Sequence, residues 1–210
     1  MVSLNVMSPQ TVRTMNNDLI ETIIKTSAQN FKRMLDNLYP AQGNNGFNER
    51  NISFQIANAF QNLYKNGNVF MELPLFNSKE KRWSYHVDGY FFTDEIGIFY
   101  ECKRLYSAEK LDSIRYDVDK LQPKNVEESL KEMAEIIPKD IYVLIVADTW
   151  SNGIREWWLD GTDDNKRWDR TSFMNGFITG FQQVKEYKDW KYDNTLYWLY
   201  GYKKIKLPGA

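Results

Sequence analysis

The sequence predicts a single α/β domain built on a central mixed β-sheet, and three observations predict it. The chain has 210 residues, a length at which one hydrophobic core suffices. Helical and strand periodicities succeed one another along it. The run IYVLIVAD at 141–148 is almost continuously apolar, as in a strand covered on both faces.

Ser8-Pro9 is a helix start, Ser at the cap and Pro in the first turn. Val12, Met15, Leu19, Ile20, Ile23, Ile24, Phe31, Met34, Leu35 and Leu38 follow at helical spacing, giving a helix over 9–38 that stops at Tyr39-Pro40. AQGNNGFN is loop chemistry. A second helix over 49–65 places Ile52, Ile56, Ala59, Phe60 and Leu63 on one face and ends at Asn66-Gly67. The period then changes to strands over 69–76, 83–92 and 96–103. The short polar turns between them imply an antiparallel meander. Helical segments over 108–122 and 125–137 are each closed by proline, at Pro123 and Pro138. After the buried strand come a polar loop around 159–168, a helix over 172–187 and a last strand over 195–205. No repeat and no linker divides the chain, so 1–210 reads as one domain.

Composition narrows the function classes. Hydrophobic residues at 42% and charged residues at 26% exclude a disordered tail, a collagen-like chain and a disulfide scaffold. Lys and Arg number 27 against 28 Asp and Glu, so a nucleic-acid partner would have to be held by a local basic patch. Cys102 is the only cysteine and can form neither an internal disulfide nor a Cys-rich zinc site. No run approaches a membrane span and the first residues lack a signal-peptide pattern, so the expected location is cytoplasmic, with no membrane partner.

The chemistry concentrates in HVDGYFFTDEIGIFYECKRL, 86–105. By strand alternation Asp88 shares a face with His86 and Tyr90, and Val87 and Phe91 share the other. On the next strand Glu101 and Lys103 lie with Phe99, opposite Tyr100 and Cys102. The turn at 93–96 brings Asp88 and Glu101 together. Two carboxylates about 4 Å apart repel by ~1 kcal/mol in water and ~4 kcal/mol at a protein surface. A basic neighbour, a raised pKa or a hard divalent cation must offset that. Lys103 is one such neighbour. Aspartate followed by Glu-x-Lys in a hairpin is thus a layout for metal-assisted hydrolysis, a bound metal lowering the pKa of its water.

These residues resemble the PD-(D/E)xK nuclease superfamily, the restriction-endonuclease-like fold, over about 49–148. Met71-Glu72-Leu73-Pro74, Asp88-Gly89, the helix after Lys103, and Glu49 on the preceding helix fit that superfamily's core order. The helix over 9–38 and the elements over 172–206 are additions to it. The resemblance implies Mg²⁺ or Mn²⁺ held by Asp88, Glu101 and the Cys102 carbonyl, with Glu49 an auxiliary ligand. It implies that Lys103 positions or activates the attacking water, and that DNA is the substrate. Cutting both strands of a duplex would call for two sites, which a homodimer provides. Val87 stands where the superfamily motif carries proline.

Other residues carry weaker expectations. His86, Lys79, Lys81, Arg82 and Arg104 are candidate nucleic-acid contacts, set against a hydrogen-bonded histidine and a solvated basic turn. Trp150, Trp157, Trp158 and Trp168 gather near one loop and fit aromatic packing, or a subunit contact, before base stacking. DGTDDN, 160–165, lacks the spacing of a calcium loop. Asp117 and Asp119 read as salt-bridging helix residues. Two alternatives to catalysis stand beside the nuclease: a binding module that keeps the fold without cutting, and an immunity or inhibitor protein meeting its partner through Trp157 and Trp158.

Overall fold

The computed structural model describes residues 9–37, 49–107, 109–160, 174–187 and 194–209. Two amphipathic helices come first, α1 (Pro9–Asn37) and α2 (Glu49–Leu63). The apolar stripe of α1, from Ile20 through Phe31 to Leu35, and that of α2, Ile52, Ile56, Ala59 and Phe60, are buried in one cluster. Leu63 is exposed instead of completing that stripe.

The strand periods give β1 (Asn68–Asn77), β2 (Arg82–Phe92) and β3 (Ile96–Arg104), the expected antiparallel meander. Two helices, α3 (Glu109–Lys120) and α4 (Pro123–Met133), carry the chain to β4 (Asp140–Thr149), which lies parallel to β3. A short helix α5 (Asn152–Asp160) precedes β5 (Ile178–Tyr187) and β6 (Asn194–Ile205). Together the strands form one six-stranded sheet in the order β1-β2-β3-β4-β6-β5. Every residue of β4 after Asp140 is buried, because α1 and α2 cover one face of the sheet and α3, α4 and α5 the other. The protein is therefore α/β with a mixed sheet between helical layers. None of the described helices is long and apolar enough to cross a membrane.

Three expectations are corrected. The helix over 172–187 is, where it is described, a turn at 174–177 followed by strand β5. Within β5, Gly180 makes room for Tyr200 of β6: a Cβ there would lie 2.5 Å from that ring. Between β4 and the loop expected at 159–168 the chain forms α5, which takes in Leu159 and Asp160 of that loop; its Trp157 and Trp158 are buried, with the Trp158 indole N–H donating to the Tyr200 carbonyl at 2.9 Å. Pro123 does not close a helix; it opens α4 from the first turn, where its missing N–H is no loss. Trp168, most of DGTDDN and the loop 39–48 lie outside the described residues.

The sheet forks where the site lies. β2 and β3 are paired only from Gly89↔Tyr100 to Phe92↔Gly97, so β2 before Gly89 leaves β3 and continues with β1 alone. At the fork the side-chain alternation of β1 and β2 breaks. Met71 accepts a hydrogen bond from the Tyr100 hydroxyl on the α2 side, yet Leu73 packs into the α3 cluster, and Glu72 between them is left-handed at φ 54°. Val87 packs with Tyr90 on that same face, whereas the sequence alternation set them on opposite ones. Gly89 admits the Tyr100 ring, and a Cβ there would sit 2.5 Å from it. Gly89→Ala should therefore destabilise the protein by ~1–3 kcal/mol through overpacking, read as a lower urea midpoint at unchanged slope.

Candidate active site

The fork leaves the end of β3 without a ladder partner on the β2 side, and a side chain fills the gap. Asp88 Oδ2 accepts the Cys102 backbone N–H at 2.6 Å, an ionic substitute for the missing strand bond. Burial pushes the Asp88 carboxyl above its ordinary range, as do the charges of Glu49 and Asp117, while the Cys102 N–H and Lys103 oppose them. The Cys102 side chain is wholly buried in the core under α1 and α2, and burial raises its thiol.

Glu101 and Lys103 follow the predicted face, that of Phe99 and α3. There they meet two side chains of α3, making a ring of alternating charge. Lys120 Nζ lies 2.6 Å from Glu101 Oε1 and 2.8 Å from Asp117 Oδ1. Lys103 Nζ lies 3.0 Å from Asp117 Oδ2 and 3.5 Å from Glu101 Oε2. Lys120 also donates to the His86 carbonyl at 2.8 Å, tying α3 to β2 across the fork. Burial, with the charge of Asp117, pushes the Glu101 carboxyl up to about 8, against the pull of Lys120. Burial alone would lower both ammonium groups, but the two carboxylates more than reverse it and hold Lys103 and Lys120 above ordinary lysine.

On the α2 side Glu49 is the first residue of its helix, where the N-terminal dipole favours a carboxylate. Its Oε1 accepts the Arg104 backbone N–H at 3.1 Å. Arg104 in turn sets Nε 3.6 Å from Asp148 Oδ1 at the end of β4. Burial pushes Asp148 up to about 7, with Arg104 opposing. The whole group lies at the carboxyl ends of the parallel strands β3 and β4, where open α/β sheets generally bind ligands.

Of the residues chosen from sequence, Glu101 and Lys103 meet on the α3 face, Asp88 reaches the Cys102 N–H at the free edge of β3, and Glu49 reaches the Arg104 N–H from the α2 side. Asp117 is the salt-bridging residue expected. Lys120 and Asp148 were missed; the i, i+3 pair Asp117/Lys120 between Ile114, Val118 and Leu121 was the signal available for the first. The other expected contacts are spread out. Arg104 turns its guanidinium to Asp148. Lys79 and Lys81 sit in the β1–β2 turn and Arg82 opens β2, six residues or about 20 Å along the strand from Asp88. His86 is exposed and Cys102 buried, so they form no nucleophile–base pair. A cavity of about 590 Å³ between β1 and α4, lined by Leu73, Tyr90 and Leu130 among others, does not touch the carboxylates.

The donor set suits a hard cation. Glu49 and Asp88 each spend an oxygen on a backbone N–H, and Glu101 and Asp148, pushed up to about 8 and about 7, are carboxyls that a divalent ion would draw into the charged form. Among the described residues no three His, Cys, Asp or Glu side chains are already arranged to hold a metal ion. Lys120 stands where Glu101 would meet one.

Replacing Lys120 with Met strands Glu101 and Asp117 and should cost ~3–5 kcal/mol in urea unfolding; adding Glu101→Gln should cost less than the sum of the single changes. Asp148 gives a pH signature. Its carboxyl titrates at about 7 when folded against 3.8 ordinarily, so between these values the folded chain keeps a proton that the unfolded chain has lost. The contribution of this group is complete below the lower value and drains away as pH rises through the higher, by up to ~1.4 kcal/mol per pH unit. Asp148→Asn should flatten that part of the stability–pH curve. Comparisons of the chain with protein-family models, with curated proteins and with solved structures found no match.

Proposed function

We propose that the protein is a metal-dependent nuclease of the PD-(D/E)xK type, with a restriction-endonuclease-like core, that hydrolyses phosphodiester bonds in DNA. The observation that carries this is the bond of Asp88 to the Cys102 N–H within the Glu101-x-Lys103 strand, with Glu49 of the preceding helix bonded to the Arg104 N–H at the same strand end. The succession α2, β1, β2, β3, α3, α4, β4, with two antiparallel pairs and one parallel pair, is compatible with the same core.

Mg²⁺ or Mn²⁺ would be held by Asp88 and Glu101, with the Cys102 carbonyl and Glu49 as further oxygen donors. When bound, such an ion supplies a Lewis acid and a water of lowered pKa. Asp88 keeps one oxygen outside its bond to the Cys102 N–H, and that bond fixes the carboxylate against β3. Lys103 is kept protonated by Asp117 and Glu101, so its task is to orient the attacking water and stabilise the charge growing on the phosphate, not to accept a proton. Asp117 acts through Lys103 as a positioning residue.

One observation favours a second reading, a binding module that does not cut. Two ammonium groups already balance Glu101 without a metal. Incubation of plasmid, linear and single-stranded DNA with Mg²⁺ separates the two. Wild type should cleave, chelation should abolish cleavage, and Glu101→Ala and Lys103→Ala should each lose about 100-fold or more, a contribution of a few kcal/mol to the transition state. Equal activity in all three proteins would remove the catalytic assignment.

A further inference from the structure

Two exposed tyrosines stand beside the cations of the site. Tyr116, the residue before Asp117 on α3, is 55% exposed, and Tyr106, two residues beyond Arg104, is 62% exposed. The Tyr116 ring centre lies 5.6 Å from Lys120 Nζ, which is itself 2.6 Å from Glu101, so the ring is within about 8 Å of that carboxylate. Tyr85 meets Tyr116 edge-on, with centroids 6.0 Å apart at 89°, and fixes its plane without covering it. The Tyr106 ring centre lies 6.0 Å from the Arg104 guanidinium and 5.6 Å from Lys110 Nζ.

Duplex binding draws its affinity from cations set against rows of phosphates. Here Lys103, Lys120 and Arg104 are engaged with carboxylates, and the formal net charge of the chain is −1. Stacking of unpaired bases on aromatic rings needs no net charge and tolerates any sequence.

We propose that this site takes its nucleic acid as a single strand, with unpaired bases stacked on Tyr106 and Tyr116 so that the backbone between them crosses the Asp88–Glu101 carboxylates. The inference rests on the nuclease reading and adds the substrate class to it. Lys110 lies beside the Tyr106 ring, within reach of a phosphate of the same strand.

The test is fluorescence anisotropy with dye-labelled oligonucleotides of about 12 nucleotides, with Ca²⁺ in place of Mg²⁺. The probes are single-stranded DNA, the same strand annealed to its complement, and single-stranded RNA of the same sequence. Wild type should bind a single strand at least about tenfold more tightly than the duplex. Tyr106→Ala and Tyr116→Ala should each weaken single-strand binding by about 5- to 100-fold, while Tyr106→Phe and Tyr116→Phe, which keep the ring, should bind within about twofold of wild type. The tighter of the DNA and RNA strands identifies the sugar. Duplex binding equal to or tighter than single-strand binding, or alanine variants that bind like wild type, would overturn the proposal. A protein that cleaves duplex with Mg²⁺ and binds both forms equally keeps the nuclease reading and loses this one. Ring-dependent single-strand binding without any cleavage does the reverse.

Discussion

The carboxylate of Glu101 is buried in the interior of an α/β protein, and the arrangement around it follows from that expense. A carboxylate taken out of water needs counter-charge within a few ångströms or it gives up its own charge. Lys120 and Lys103 supply it, and both then require Asp117. This ring fastens α3 to β3 by ion pairs, whereas α4 is tied to the end of β1 by neutral hydrogen bonds that Ser129 and Asn125 accept. Through the His86 carbonyl it also fixes the near arm of the fork. Asp88, Glu49 and Asp148 add further carboxyls around this ring, and that concentration of oxygen donors gives the site its chemical character.

Much of the fold was legible in the sequence because periodicity reports burial directly. The stripes of α1 and α2, the meander of β1 to β3 and the unbroken apolar run of β4 all came from that signal. The two misassigned segments show its limit. In β5 only Val184 is buried along an otherwise half-exposed edge strand, so neither period dominates, and Phe177, Phe181 and Val184 happen to fall at helical spacing. In α5 the adjacent Trp157 and Trp158 suggested an aromatic loop, whereas a single buried turn accommodates both.

The site was legible to the extent that strand alternation held. Along β3 it is regular, and Glu101 and Lys103 share a face as expected. Along β2 it fails at Asp88, for a reason lying on another strand: Glu72 of β1 takes a left-handed conformation and both strands change face together. A local period cannot report a neighbour's backbone. Lys120 escaped for a related reason, since a lysine on a helix is ordinarily a solvated residue and only the topology brings it over β3. The basic turn at 79–82 shows the opposite error, a cluster conspicuous in sequence and remote from the carboxylates once the hairpin is extended.

The central claim is that the cluster of carboxyls at the fork is a seat for a divalent cation, and calorimetric titration with Mn²⁺ tests it most directly. Wild type should take up Mn²⁺ at a saturable site, with heat that disappears in Asp88→Asn while the variant retains its unfolding free energy in urea within about 1 kcal/mol of wild type. Saturable Mn²⁺ binding that is unchanged in Asp88→Asn, or no binding by wild type, would mean that the lysines alone satisfy the carboxylates and that the fork is a structural joint.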